Sequence, residues 1–100
     1  MSFRLEVRPQ VGVDIADAAG WYEARRPGLG AELALAVRDS VEEILRDPLL
    51  PRIRDHERQI RWVILARFPY RVVYRVIGDI VIVYAVMHTA RLDRHWKRRL

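Results

Sequence analysis

The chain contains no cysteine, which removes disulfides and thiolate metal sites from consideration. Five glycines and five prolines are scattered too thinly for a low-complexity segment or an interior linker. No glycine-rich phosphate loop is present, because Gly28 and Gly30 serve a turn. His56, His88 and His95 share no helix face, so no metal and no cofactor is expected. Apolar residues make up 51% of the chain, yet no apolar run is long and unbroken enough to cross a bilayer. The opening MSFRLEV lacks a signal-peptide layout, with Arg4, Glu6 and Arg8 where an apolar stretch belongs. These absences lead to the expectation of one cytoplasmic domain over residues 1–100, without a membrane partner.

Charge is unevenly placed. The net charge of +5 divides into 6 Lys+Arg against 9 Asp+Glu in residues 1–50, and 12 against 4 in residues 51–100. The second half, at +8, is expected to attract an acidic partner, either nucleic acid or an acidic protein segment.

FRLEVR (3–8) alternates apolar and charged residues, the pattern of a half-buried strand ending at Pro9. From Val11 the spacing turns helical, through Ile15, Ala18 and Tyr22, with Asp14 and Asp17 placed early, where the helix dipole favours them. RPGLG (26–30) breaks that helix. A second follows on the stripe Leu33, Val37, Val41, Ile44 and Leu45, and Asp47-Pro48 stops it. Residues 48–59 read as a polar loop. Strands are predicted at about 60–67, 70–77 and 80–88, the last two joined by a Gly78-Asp79 turn. The tail has the composition for one more helical turn. The order β-α-α-β-β-β predicts an α+β domain, a two-helix hairpin packed on one face of an antiparallel-rich sheet.

With that turn, the ladder is expected to pair Arg75 with Ile82, Val73 with Tyr84 and Arg71 with Val86. A Phe68-Pro69 turn sets Trp62 opposite Arg75. The face away from the helices then holds Trp62, Arg71, Arg75, Tyr84 and His88, with only the short tail to cover it. Such a surface, apolar and studded with arginine, is expected to be open and to bind. Arginines lying flat over apolar surface, with Arg75 over Trp62, account for the same pattern structurally.

WYEARRPGLGAEL followed by RFPYRVVYRVIGDIVIVYAVMHTAR resembles the ParE/RelE superfamily of toxins from type II toxin–antitoxin systems. The RPGLG link and the FPYRVVYRV…H…R strands resemble its ParE-like, plasmid-stabilisation branch. The resemblance implies a partner, an antitoxin whose acidic C-terminal segment wraps the toxin. It also implies one of two targets: DNA gyrase for ParE-like members, or messenger RNA in the ribosome for RelE-like endoribonucleases. Arg71 and Arg91 match family arginines that clamp phosphate in the nucleases. Lysines expected on the preceding strand fall instead at Trp62 and Ile64, and the expected C-terminal tyrosine falls near Trp96 or Lys97.

An RNA-cleaving mechanism needs a proton carrier, and His88 is the candidate, flanked by Arg71 and Arg91. His88 is expected to project on the Arg71 face; a strand-end imidazole bonded to the tail is the plainer alternative. Arg94 and Trp96 add charge and a stacking ring, which a nucleic-acid-binding module also uses. Trp21, Leu49 and Leu50 are further candidate antitoxin contacts that core packing or loop anchoring explains as readily. The surface favours binding over catalysis: a gyrase inhibitor first, an endoribonuclease second, an inactive member or nucleic-acid binder after that. Contacts are expected at Trp62, Arg71, Arg75, Tyr84, His88, Arg91, Arg94 and Trp96.

Overall fold

A computed structural model describes residues 2–100. Its elements are β1 (Arg4–Val7), α1 (Pro9–Glu23), α2 (Leu29–Arg46), β2 (Ile53–Asp55), β3 (Ile60–Ile64), β4 (Tyr70–Ile77), β5 (Ile80–His88) and a short α3 (Arg94–Lys97). The five strands form one sheet in the order β1-β5-β4-β3-β2, with β1 parallel to β5 and every other pair antiparallel. The expected α+β architecture is present, with the α1–α2 hairpin on one sheet face. No helix among the described residues is long and apolar enough to cross a membrane.

Pro9 starts α1 and does not merely end the strand before it, since a proline at the first helical position lacks only an N–H that would be unpaired anyway. This places Asp14 and Asp17 beyond the first turn of α1, out of reach of the dipole role predicted for them. In the RPGLG link, Gly28 adopts φ 90°, which favours glycine. The Glu23 carboxylate accepts from Gly28 N at 2.9 Å and from Gly30 N at 2.9 Å, satisfying N–H groups at the start of α2. Those two bonds, Gly28 first, hold its pKa below the usual carboxylate range. A Cβ on Gly30 would lie 2.6 Å from the Ala19 carbonyl oxygen, so this glycine lets the two helices approach.

Three expectations about the sheet need correction. The 48–59 segment is not all loop, since Ile53–Asp55 forms β2 against β3, a strand too short and too irregular in register to show alternation. The β3–β4 turn is longer than Phe68-Pro69, closing with Leu65 N donating to Tyr70 O at 2.9 Å. Trp62 therefore pairs with Val73 and Ile64 with Arg71, two residues from the predicted register; an even slip preserves the faces. In β5 the predicted pairs Ile77–Ile80 and Arg75–Ile82 form, but Tyr84 is then extra: Tyr74 faces Val83 and Val73 faces Ala85. Past this bulge Arg71 faces Met87 instead of Val86, and every later side chain of β5 changes sides.

Two cores result. Leu33, Val37, Val72, Tyr74, Val81, Val83 and Val86 lie between the helices and the sheet. On the opposite face Ile60, Val73, Ile82, Tyr84, Ala85 and Met87 pack with Trp96, which is fully buried. The expectation of an open second face is thus overturned. The tail folds back as α3, and Trp96 seals the sheet. Where half-burial was predicted, β1 is exposed throughout, with Leu5 and Val7 uncovered at the sheet edge.

Tyr74 ties the helix-side core to the loop after α2, its hydroxyl donating to Pro48 O at 2.7 Å. Tyr74→Phe is expected to lose about 1–2 kcal/mol of stability at neutral pH, because a buried carbonyl loses its donor. Burial raises the Tyr74 pKa from 10.0 to about 12. Its stabilising contribution is therefore complete below the unfolded value and is lost as pH rises through the folded one. Chemical denaturation should show the deficit of Tyr74→Phe shrinking between about pH 10 and 12; a constant deficit contradicts this account.

Candidate functional site

Arg71, on β4, is 5% exposed. A guanidinium so far from water requires partners. Its Nη2 donates to Arg91 O at 2.9 Å and pairs with Asp93 Oδ1 at 3.1 Å. Its guanidinium carbon lies 4.4 Å from the centre of the half-buried Trp62 ring. Its buried Nε has no hydrogen-bond partner. Asp93 Oδ1 also accepts from Trp96 Nε1 at 3.2 Å, so one carboxylate joins the buried arginine to the tail's anchor.

Arg75 does not lie over Trp62 as predicted. Its Nε donates to the Tyr84 hydroxyl at 2.8 Å and its guanidinium sits 5.2 Å from that ring. The two-residue slip explains the exchange, since it moves Trp62 from opposite Arg75 to opposite Val73. Arg54, from β2, supplies a second cation 5.1 Å from the Trp62 ring. Of the predicted contact residues on this face, Arg71, Tyr84 and Trp96 are buried, while Arg75 and Trp62 are partly accessible.

His88 is not on the Arg71 face. The bulge turns it to the helix side, opposite Tyr70, with ring centroids 5.3 Å apart. Its Nδ1 accepts from Ala90 N at 3.0 Å, the tail bond named as the plainer alternative. There it lines a pocket of about 430 Å³ with Asp14, Trp21, Tyr22, Tyr70, Arg91 and His95. His95 is part of this wall and only half-exposed. Burial, and then the fields of Arg91, Arg98, Arg94 and Arg99, hold its pKa below the ordinary histidine value. Burial, followed by the neighbouring Tyr22 and opposed by Arg91, raises the Tyr70 pKa. Arg94 is exposed on α3, and Trp21 lies at the pocket with Arg25 stacked 3.1 Å from its ring centre. Leu49 and Leu50 are exposed in the loop after α2, away from this pocket.

Sequence reasoning passed over the pair that closes the pocket floor. Asp14 Oδ2 lies 2.6 Å from Arg99 Nη1, and Asp14 Oδ1 lies 2.9 Å from Arg99 Nη2, a two-pronged ion pair. The same Oδ2 accepts from Val86 N at 3.0 Å, and Arg99 Nη1 donates to Tyr84 O at 3.1 Å. The partners stand 85 positions apart, and no local pattern announces them. Asp93 was missed for the same reason.

The chain matches the family model for the ParE toxin of type II toxin–antitoxin systems, parDE, over residues 5–93. It belongs to the ParE toxin family. Among solved structures it is similar to the chromosomal ParDE TA system from P. aeruginosa, at TM-score 0.76 and 15% identity, over 87% of this chain and 96% of that one. It is also similar to the E. coli toxin RelE, a mutant in the free state, at TM-score 0.61 and 17% identity, over 99% of this chain and 94% of that one. At such identities the likeness speaks for the fold alone. Comparison with curated proteins returns no match.

Trp96 holds the tail against the sheet, and Trp96→Ala is expected to cost about 3–5 kcal/mol. Chemical denaturation measures the loss. Faster hydrogen exchange at residues 94–99 should accompany it, and unchanged exchange there would show that the tail is held by other means.

Proposed function

We propose that this chain is a toxin that acts by binding DNA gyrase, is neutralised by a cognate antitoxin, and works in the cytoplasm. Membership of the ParE family supports the toxin reading, and the ParDE system of similar fold supports an antitoxin partner. The choice of gyrase over RNA rests on one observation: His88 and Arg71 stand on opposite faces of the sheet. General acid–base catalysis needs the proton carrier within reach of the bond whose charge the cation stabilises. Here the best proton carrier is remote from a cation already committed to Asp93. Trp62 and Ile64 offer no charge where nucleases of the superfamily are expected to carry lysines, and the indole N–H of the buried Trp96, donated to Asp93, is far too weak an acid to serve in a tyrosine's place.

RNA cleavage remains the second reading, because His88, His95 and Arg91 do meet in one pocket. Expressing the toxin alone separates the two. Gyrase-dependent DNA breaks that His88→Ala leaves within about twofold of the unaltered toxin are the expected result. Codon-positioned cuts in messenger RNA that disappear in His88→Ala would reverse the assignment.

A further inference from the structure

We propose that the pocket between α1 and the C-terminal end of β5 receives one aromatic or leucine side chain from an acidic segment of the antitoxin, with a neighbouring carboxylate of that segment on Arg91. The proposal rests on the antitoxin reading above and adds where and by what chemistry that partner is gripped.

The cavity of about 430 Å³ has room for one large side chain and its backbone. Its apolar lining comes from Ala18 and Val86, and its aromatic wall from Trp21, Tyr22 and Tyr70. Tyr22 stands edge-on to both other rings, at centroid distances of 4.9 Å from Trp21 and 6.1 Å from Tyr70. Trp21 is 51% exposed, which leaves much of a large ring in water. Such rings, partly uncovered around a cavity, are the usual anchors of a protein interface.

Charge selects the occupant. Arg91 forms no ion pair among the described residues, and Arg94 and Arg98 add to the field beside it. The pKa of His95 is held down first by burial and then by these same arginines, and an incoming carboxylate would relieve the second of these. Inside the pocket Asp14 is already taken by Arg99 and the Val86 amide. Asp17, also in the lining, forms no ion pair among the described residues and offers an acceptor. A peptide brings both what Arg91 needs, a carboxylate, and what Asp17 needs, an N–H donor. A phosphodiester beside Asp17 meets a like charge where a peptide N–H meets an acceptor, so a peptide fits this pocket better than a nucleic acid does.

The probe is the protein encoded by the reading frame adjoining the toxin gene, titrated calorimetrically into full-length toxin at low and at physiological salt. Arg91 and Trp21 are both exposed, so substituting them leaves the cores intact. Arg91→Glu is expected to weaken binding about tenfold or more and to flatten its salt dependence, and Trp21→Ala to weaken it about tenfold. Arg38→Glu, on the exposed side of α2, is expected to change it by less than about twofold. Retained affinity in both pocket variants overturns the pocket assignment and leaves the antitoxin reading standing. Equal weakening by Arg38→Glu also overturns it, by reducing the effect to net charge. If the unaltered toxin does not bind the probe, both fall together. If the pocket variants bind the probe normally but lose gyrase inhibition, the pocket belongs to gyrase and the proposal is wrong.

Discussion

The ion pair between Asp14 and Arg99 sits where the sheet's own bonding runs out. β1 last pairs with β5 at Val83, and the bulge at Tyr84 follows at once. The Tyr84 carbonyl and the Val86 amide then lack a strand to meet, and a backbone group left unpaired in partly buried surroundings is costly. Asp14 takes the amide and Arg99 the carbonyl, while the two charges satisfy each other. One contact thereby fixes α1 against β5, completes the interrupted edge and holds down the chain's last residues. Trp96 and the Arg71–Asp93 pair hold the same tail against the opposite face of the sheet.

The same contact changes the meaning of the charge asymmetry. Part of the basic second half meets the acidic first half within the molecule, through Asp14–Arg99 and, more loosely, Glu32–Arg67 at 3.5 Å. Arg71, the arginine most prominent in the strand pattern, is occupied with Asp93 and the Arg91 carbonyl. Arg91 at the helix-side pocket, with Arg94 and Arg98 nearby, forms no ion pair among the described residues, and neither do Arg52, Arg54 and Arg75 elsewhere in the second half. The sheet face on which the sequence pattern placed these contacts is closed by Trp96.

How far each feature could be read follows from the range of the interactions that create it. The helix stripes, the Gly78-Asp79 turn and the first pairs beyond it depend on neighbours a few residues apart, and they stand as predicted. The β3–β4 register slipped by two because the turn closes through Leu65 and Tyr70. Turn length is weakly encoded when the flanking residues are apolar on both faces. β2 escaped notice because three residues carry no period. For the site, Trp21, His88 and Arg91 were visible as types, yet their meeting in one pocket was not, since a single extra residue in β5 decides on which side His88 emerges.

By itself the sequence determined the succession of helices and strands apart from β2, the two-sided apolar character of the central strands and the placement of positive charge late in the chain. Alternation, helical spacing and turn residues are local facts, and short-range sterics and burial act on them directly. Only the tertiary structure decided that the second face is closed by Trp96, that Arg71 is an internal cation, and that His88 looks toward α1. Those outcomes depend on a bulge and on contacts spanning most of the chain, where the energy of a few long-range hydrogen bonds chooses between faces that the sequence pattern leaves nearly equal.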